Sequence, residues 1–116
     1  MRADKMTTRL QQALAEAQSR ALGHDNQLID PVHLMLALLE QDNSTVKHVL
    51  GKSGVDTDAL QAQLQQAEGR LPKVEGVPGE VHASNDLVRL LNVTEKLAQK
   101  RGDAYISSEL FVLAAI

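Results

Sequence analysis

The stretch GHDNQLIDPVHLMLALL, Gly23 to Leu39, decides the fold. A polar loop ends in Ile29, Asp30 and Pro31 follow, and an apolar helical run begins. Asp is a favoured N-cap, and Pro suits the first helical position because its missing N–H would have had no partner there. The plan returns near the end of the chain as GDAYISSELFVLAAI, Gly102 to Ile116: a polar loop, Ile106, a capping Ser107 and another apolar helix. Ile29 and Ile106 stand 77 positions apart.

The same offset works upstream and downstream. It places Thr7 on Ser84, Leu10 on Leu87, Leu14 on Leu91, Ala21 on Ala98, Asp30 on Ser107, Leu36 on Leu113 and Ala37 on Ala114. Caps meet caps and apolar positions meet apolar positions, with six identities across the 33 positions from 7 to 39. Self-similarity at a fixed period marks one supersecondary unit written twice. The first unit is expected over about 7–69, a connector over 70–83, and a second unit from Ser84. By the same offset the second unit would run to about 146, so the 116 residues are expected to be an N-terminal piece in which that unit is truncated.

Apolar spacing gives the helices. Thr7 caps a first helix carrying Leu10, Ala13, Leu14, Ala17 and Ala21, with Gly23 as its expected stop. Asp30 caps a second, ending near Gln41. Ser44 caps a short third, with Val46, Val49 and Leu50, ending near Gly51–Gly54, and Asp56 caps a fourth, with Leu60, Leu64 and Ala67. Two prolines and two glycines between Leu71 and Ala83 exclude a helix there, and Val74, Val77 and Val81 suggest that this connector lies against the body. Ser84 opens a helix to Arg101, and Ser107 opens the last. The expected fold is all-α, two pseudo-symmetric multi-helix repeats packed into one domain.

Composition narrows the function. Aromatic residues are 2% of the chain and the net charge is −3, which disfavours base stacking and phosphate-backbone contacts, hence a nucleic-acid partner. The Asp30-Pro31-Val32-His33 start of the would-be recognition helix argues the same way. There is no cysteine, which removes thiolate metal sites and cysteine nucleophiles. His24, His33, His48 and His82 show no metal-site spacing, and His33, opening an apolar helix, reads as partly buried and hydrogen-bonded. No GxxxxGK[ST] occurs, so no P-loop nucleotide site is expected, and neither is an enzymatic role for these residues alone. With no apolar leader and no long apolar run, the chain reads as cytoplasmic and non-membrane.

Together, ALGHDNQLIDPVHLMLALL, RLPKVEG and EKLAQKRGDAYISSELFVLAA closely resemble the N-terminal repeat domain of the bacterial Clp AAA+ unfoldases, along essentially the whole chain. The resemblance implies an all-helical double repeat tethered to a hexamer of ATPase rings. Such a domain engages unfolded or aggregated polypeptide for disaggregation. ATP and magnesium would belong to rings outside these residues, and an Hsp70-type co-chaperone would act on the full-length protein. The alternative is an adaptor-docking domain of a Clp protease unfoldase.

The difference between the repeats suggests a site. Glu16 and Arg20, four apart on the first helix, read as an exposed ion pair; the offset turns them into Val93 and Leu97. The apolar arc of helix 84–101 then widens to roughly 220°, where about 100° suffices for one-sided burial. A surplus apolar patch is a candidate grip for unfolded chain, and Leu110, where the first repeat has His33, would extend it. Asp103 and Glu109 suit a loop and a helix's first turn, and Thr7 suits a cap. The resemblance adds that family residues matching Thr7, Asp103 and Glu109 handle substrate, where carboxylates could attract the client's Lys and Arg.

Overall fold

Each unit starts its first helix on a hydroxyl. In the computed structural model, which describes residues 3–74 and 81–115, Thr7 Oγ1 accepts from the Leu10 N–H at 3.3 Å and Ser84 Oγ from the Leu87 N–H at 3.1 Å. After a short 3-10 turn at Ala3–Lys5 come α1 (Thr8–Gly23), β1 (Leu28–Ile29), α2 (Pro31–Glu40), α3 (Thr45–Lys52) and α4 (Thr57–Gly69). Then follow β2 (His82–Ala83), α5 (Asn85–Arg101) and α6 (Ser108–Ala115). The architecture is all-α, and among the described residues the short 3-10 turn and the two-residue strands are additions to the expected elements.

The recurring isoleucine explains itself in the pairing of those strands. β1 and β2 are parallel, with Leu28 opposite His82 and Ile29 opposite Ala83. The Ser84 N–H donates to the Ile29 carbonyl at 2.9 Å. At the matched place in the other unit, Met6 bridges Ile106 in parallel, and the Thr7 N–H donates to the Ile106 carbonyl at 3.0 Å. Met6 matches Ala83 by the 77-residue offset, so the two contacts are one contact made twice. Each unit's loop isoleucine holds the residue ahead of the other unit's first helix, a pseudo-twofold exchange.

The core lies between equivalent helix pairs, α1 with α2 and α5 with α6. Ala13, Ala17 and Ala21 are buried on α1, and small side chains let α2 approach closely. Leu34 and Leu38 of α2, Leu87 and Leu91 of α5, and Leu110 and Phe111 of α6 join one cluster with Met6 and Ile106. α3 and α4 pack on α2; Leu60 and Leu64 of α4 are only partly buried.

Helix ends differ in detail from expectation. Gly23 sits in the last turn of α1 and does not reverse the chain; that falls to Asp25, with φ 57°, a left-handed conformation that Asp tolerates better than most residues. Gly102, with φ 75°, closes α5 as glycine should. The connector touches the body where the Val74 N–H donates to the Asp25 carbonyl at 2.9 Å; Val81 is half-buried and Val77 lies outside the described residues.

Candidate functional site

Unit one closes its outer flank with charge. Arg20, on α1, is not an exposed partner of Glu16. Its Nε and one terminal nitrogen donate to the two carboxylate oxygens of Glu68 on α4, each at 2.8 Å. Its other terminal nitrogen donates to Glu40 at the end of α2 at 2.6 Å. One guanidinium therefore ties three helices, with side-chain exposures of 20% for Arg20 and 3% for Glu68. His24 Nε2 lies 3.2 Å from the same Glu68 carboxylate.

Electrostatics follow from that placement. Burial works to raise the Glu68 carboxyl, but hydrogen bonds and charge from Arg20 outweigh it and hold the pKa below the usual 4.5. The hydrogen bonds to Glu68 in turn raise the already high Arg20 pKa. Behind this cluster, His33 is fully buried and hydrogen-bonded, as its position suggested, and burial pushes its pKa below 6.5. Nδ1 accepts the Asp30 N–H at 2.8 Å, so the ring is neutral with its proton on Nε2, donated to Asn26 Oδ1 at 2.9 Å. Asn26 passes the link on, donating to the Pro72 carbonyl at 3.1 Å.

Unit two presents its matching flank differently. Val93 is 41% exposed and Leu97 half-buried, so the apolar flank of α5 does reach solvent. Val88, on the far edge of the arc, is exposed as well. Leu110 does not extend this surface: it is 5% exposed and belongs to the core. Its match His33 is buried too, so the exchange of His for Leu is a change inside the protein. The reading of His33 as buried already carried that signal.

The polar candidates are spread over other faces. Asp103 is exposed and pairs with Arg101 at 3.3 Å. It borders a hollow of about 240 Å³ with Lys5, Glu95, Gln99 and Tyr105. Glu95 stands about 160° round α5 from both Val93 and Leu97, so this hollow and the apolar strip occupy opposite flanks. Glu109, exposed in the first turn of α6, accepts a hydrogen bond from Thr45 Oγ1 at the start of α3. Thr7 is half-buried, its hydroxyl engaged as the cap of α1. Among the described residues, no group of three or more His, Asp or Glu side chains is placed to hold a metal ion. No helix among them is long and apolar enough to cross a membrane.

Two interlocked helical repeats with one charged and one apolar flank define an all-α domain with a surface contrast built into it, and comparison assigns the family. Residues 5–116 match the Clp repeat (R) N-terminal domain, and the chain belongs to that family. It is 49% identical over 116 residues to Chaperone protein ClpB of Vibrio vulnificus (strain YJ016) and 50% identical to that of Vibrio cholerae serotype O1. In both cases the whole chain aligns, and it spans about 14% of the relative's length. The fold is shared with the N-terminal domain of Hsp104 from Candida albicans, at TM-score 0.85 and 17% identity over 95% of this chain and 72% of that one. It is shared also with the N-domain of ClpV from Vibrio cholerae, at TM-score 0.83 and 23% identity over 97% and 66%.

Proposed function

We propose that this chain is the client-recognition domain of a ClpB-type chaperone. It binds exposed apolar segments of unfolded or aggregated polypeptide and passes them to a hexameric AAA+ motor in the remainder of a longer cytoplasmic protein. ATP and magnesium act in that motor; the sequence here has no P-loop to hold them. The carrying observation is the solvent-exposed Val93 beside Leu97, on a helix flank whose match in unit one is charged. An apolar strip left open on a small domain is a surface for a partner. Asp103 and Glu109 contribute exposed carboxylates on other faces, suited to client Lys and Arg, and Thr7 contributes through the α1 cap. Binding through so small a strip is weak and tolerant of sequence, which suits a domain that samples many clients.

An unfolded model protein titrated into the chain, followed by backbone amide NMR, tests this. Shifts centred on Val93 and Leu97 are expected. Val93→Glu should weaken binding severalfold with circular dichroism unchanged. Shifts that appear only with a folded adaptor would replace this reading with adaptor docking.

A further inference from the structure

The open strip of α5 has a charge sign of its own. On a helix, residues three or four apart are neighbours. Val93 therefore has Arg89 on one side, Lys96 and Leu97 on the other, and Lys100 one turn further on. Arg89, Lys96 and Lys100 are all exposed. Arg89 stands 3.8 Å from Asp86, itself at the start of α5. Lys96 and Lys100 have no ion pair among the described residues. Arg101 is turned to Asp103. The carboxylate of Glu95 lies on the opposite flank.

The matched positions in unit one are Gln12 for Arg89, Glu16 for Val93, Ser19 for Lys96 and Gly23 for Lys100. All four are exposed even though α3 and α4 are in place there. Only Arg20, matching Leu97, is drawn under α4. The four helices of unit one thus leave these positions open, and Val93 with its three cations forms a face that no described element covers.

We infer that this face selects polypeptide segments in which an apolar side chain is flanked by Asp or Glu, the apolar group seating on Val93 at the edge of Leu97 and the carboxylates meeting Lys96 and Lys100. This rests on the proposed client-recognition role and adds the client's chemistry to it. A basic strip with an apolar centre could also meet an anionic lipid surface. The net charge of −3 disfavours a planar anionic surface, which meets the field of the whole domain, whereas a short segment meets only the local strip.

Fluorescence anisotropy with three labelled unfolded peptides tests it, each carrying the same Leu-Val core flanked by Asp/Glu, by Lys/Arg or by Ser. At low salt the acidic-flanked peptide should bind about threefold or more tighter than the Ser-flanked one, since exposed ion pairs each contribute little, and the gap should close at high salt. In the K96E/K100E variant the order should reverse in favour of the Lys/Arg-flanked peptide. Equal affinities, or tightest binding of the Lys/Arg-flanked peptide to the unaltered chain, would overturn the inference. If Val93→Ser still weakened all three peptides, the client role would survive that failure; if it weakened none, the client role itself would fail. Binding to vesicles containing phosphatidylserine with no peptide preference would assign the strip to lipid and overturn the inference.

Discussion

Place α1 beside α5 and the same helix appears with two solutions to one problem. Both begin at a capping hydroxyl, both bury a stripe against the following helix, and both reach a fourth turn whose outer side chain must be dealt with. α1 puts Arg20 there and neutralises it with Glu68 and Glu40, closing the flank with three helices bound to one guanidinium. α5 puts Leu97 there, beside an exposed Val93. Duplicated scaffolds can thus assign structure to one copy and surface to the other while keeping caps, core and exchange of isoleucines alike.

The largest test of that contrast is Arg20→Ala. It strips the Glu68 carboxylate, 3% exposed, of the guanidinium that holds both its oxygens, and should cost about 3 kcal/mol in urea unfolding. The double variant Arg20→Leu/Glu68→Leu copies the chemistry of Leu97 into unit one and should fall within about 1 kcal/mol of the parent, because an apolar pair can replace a buried ion pair. A double variant as unstable as Arg20→Ala would show that unit one depends on the charge itself.

Next in size is the response to acid. Glu68 and His33 both have folded-state pKa values below their usual ones, so the unfolded chain binds more protons. The stability they supply is present above those usual values. The His33 part is lost as pH falls from 6.5, and the Glu68 part as it falls from 4.5. The Arg20→Leu/Glu68→Leu variant should lose the lower arm and keep the upper one in urea midpoints measured across pH.

Caps come third. Thr7→Ala and Ser84→Ala should each cost about 1 kcal/mol, and the similarity of the two values is itself the prediction, since the two hydroxyls serve matched helices. Smallest of all, Val93→Ser should change stability by no more than about 0.5 kcal/mol, as expected of an exposed position. A loss of 2 kcal/mol or more there would mark Val93 as part of the packing and remove the contrast with Glu16.

The sequence made much of this legible. Cap residues and apolar spacing place the six α-helices of the described residues within a residue or two, because those signals are local. The 77-residue offset exposed the duplication, and the open flank at Val93 followed from comparing copies. What stayed hidden depends on distance along the chain. Glu68 lies 48 residues from Arg20 and looks like any surface glutamate on a helix, whereas Glu16 stands at the familiar four-residue spacing and drew the pairing to itself. The strands escaped because two residues leave no alternation to read, although Ile29 and Ile106 were their trace. Leu110 differs from its match His33 without any difference in exposure, because both side chains fill interior positions, and a change of residue between copies does not by itself report a change of surface.

The exchanged isoleucines carry a consequence for how the chain can come apart. Each copy keeps the other's backbone satisfied: one lends the Ile29 carbonyl to Ser84, the other the Ile106 carbonyl to Thr7. A cut in the connector would give two fragments with complementary unpaired edges, each the missing half of the other. Co-expressed halves should therefore reassemble, while either alone would seek a twin.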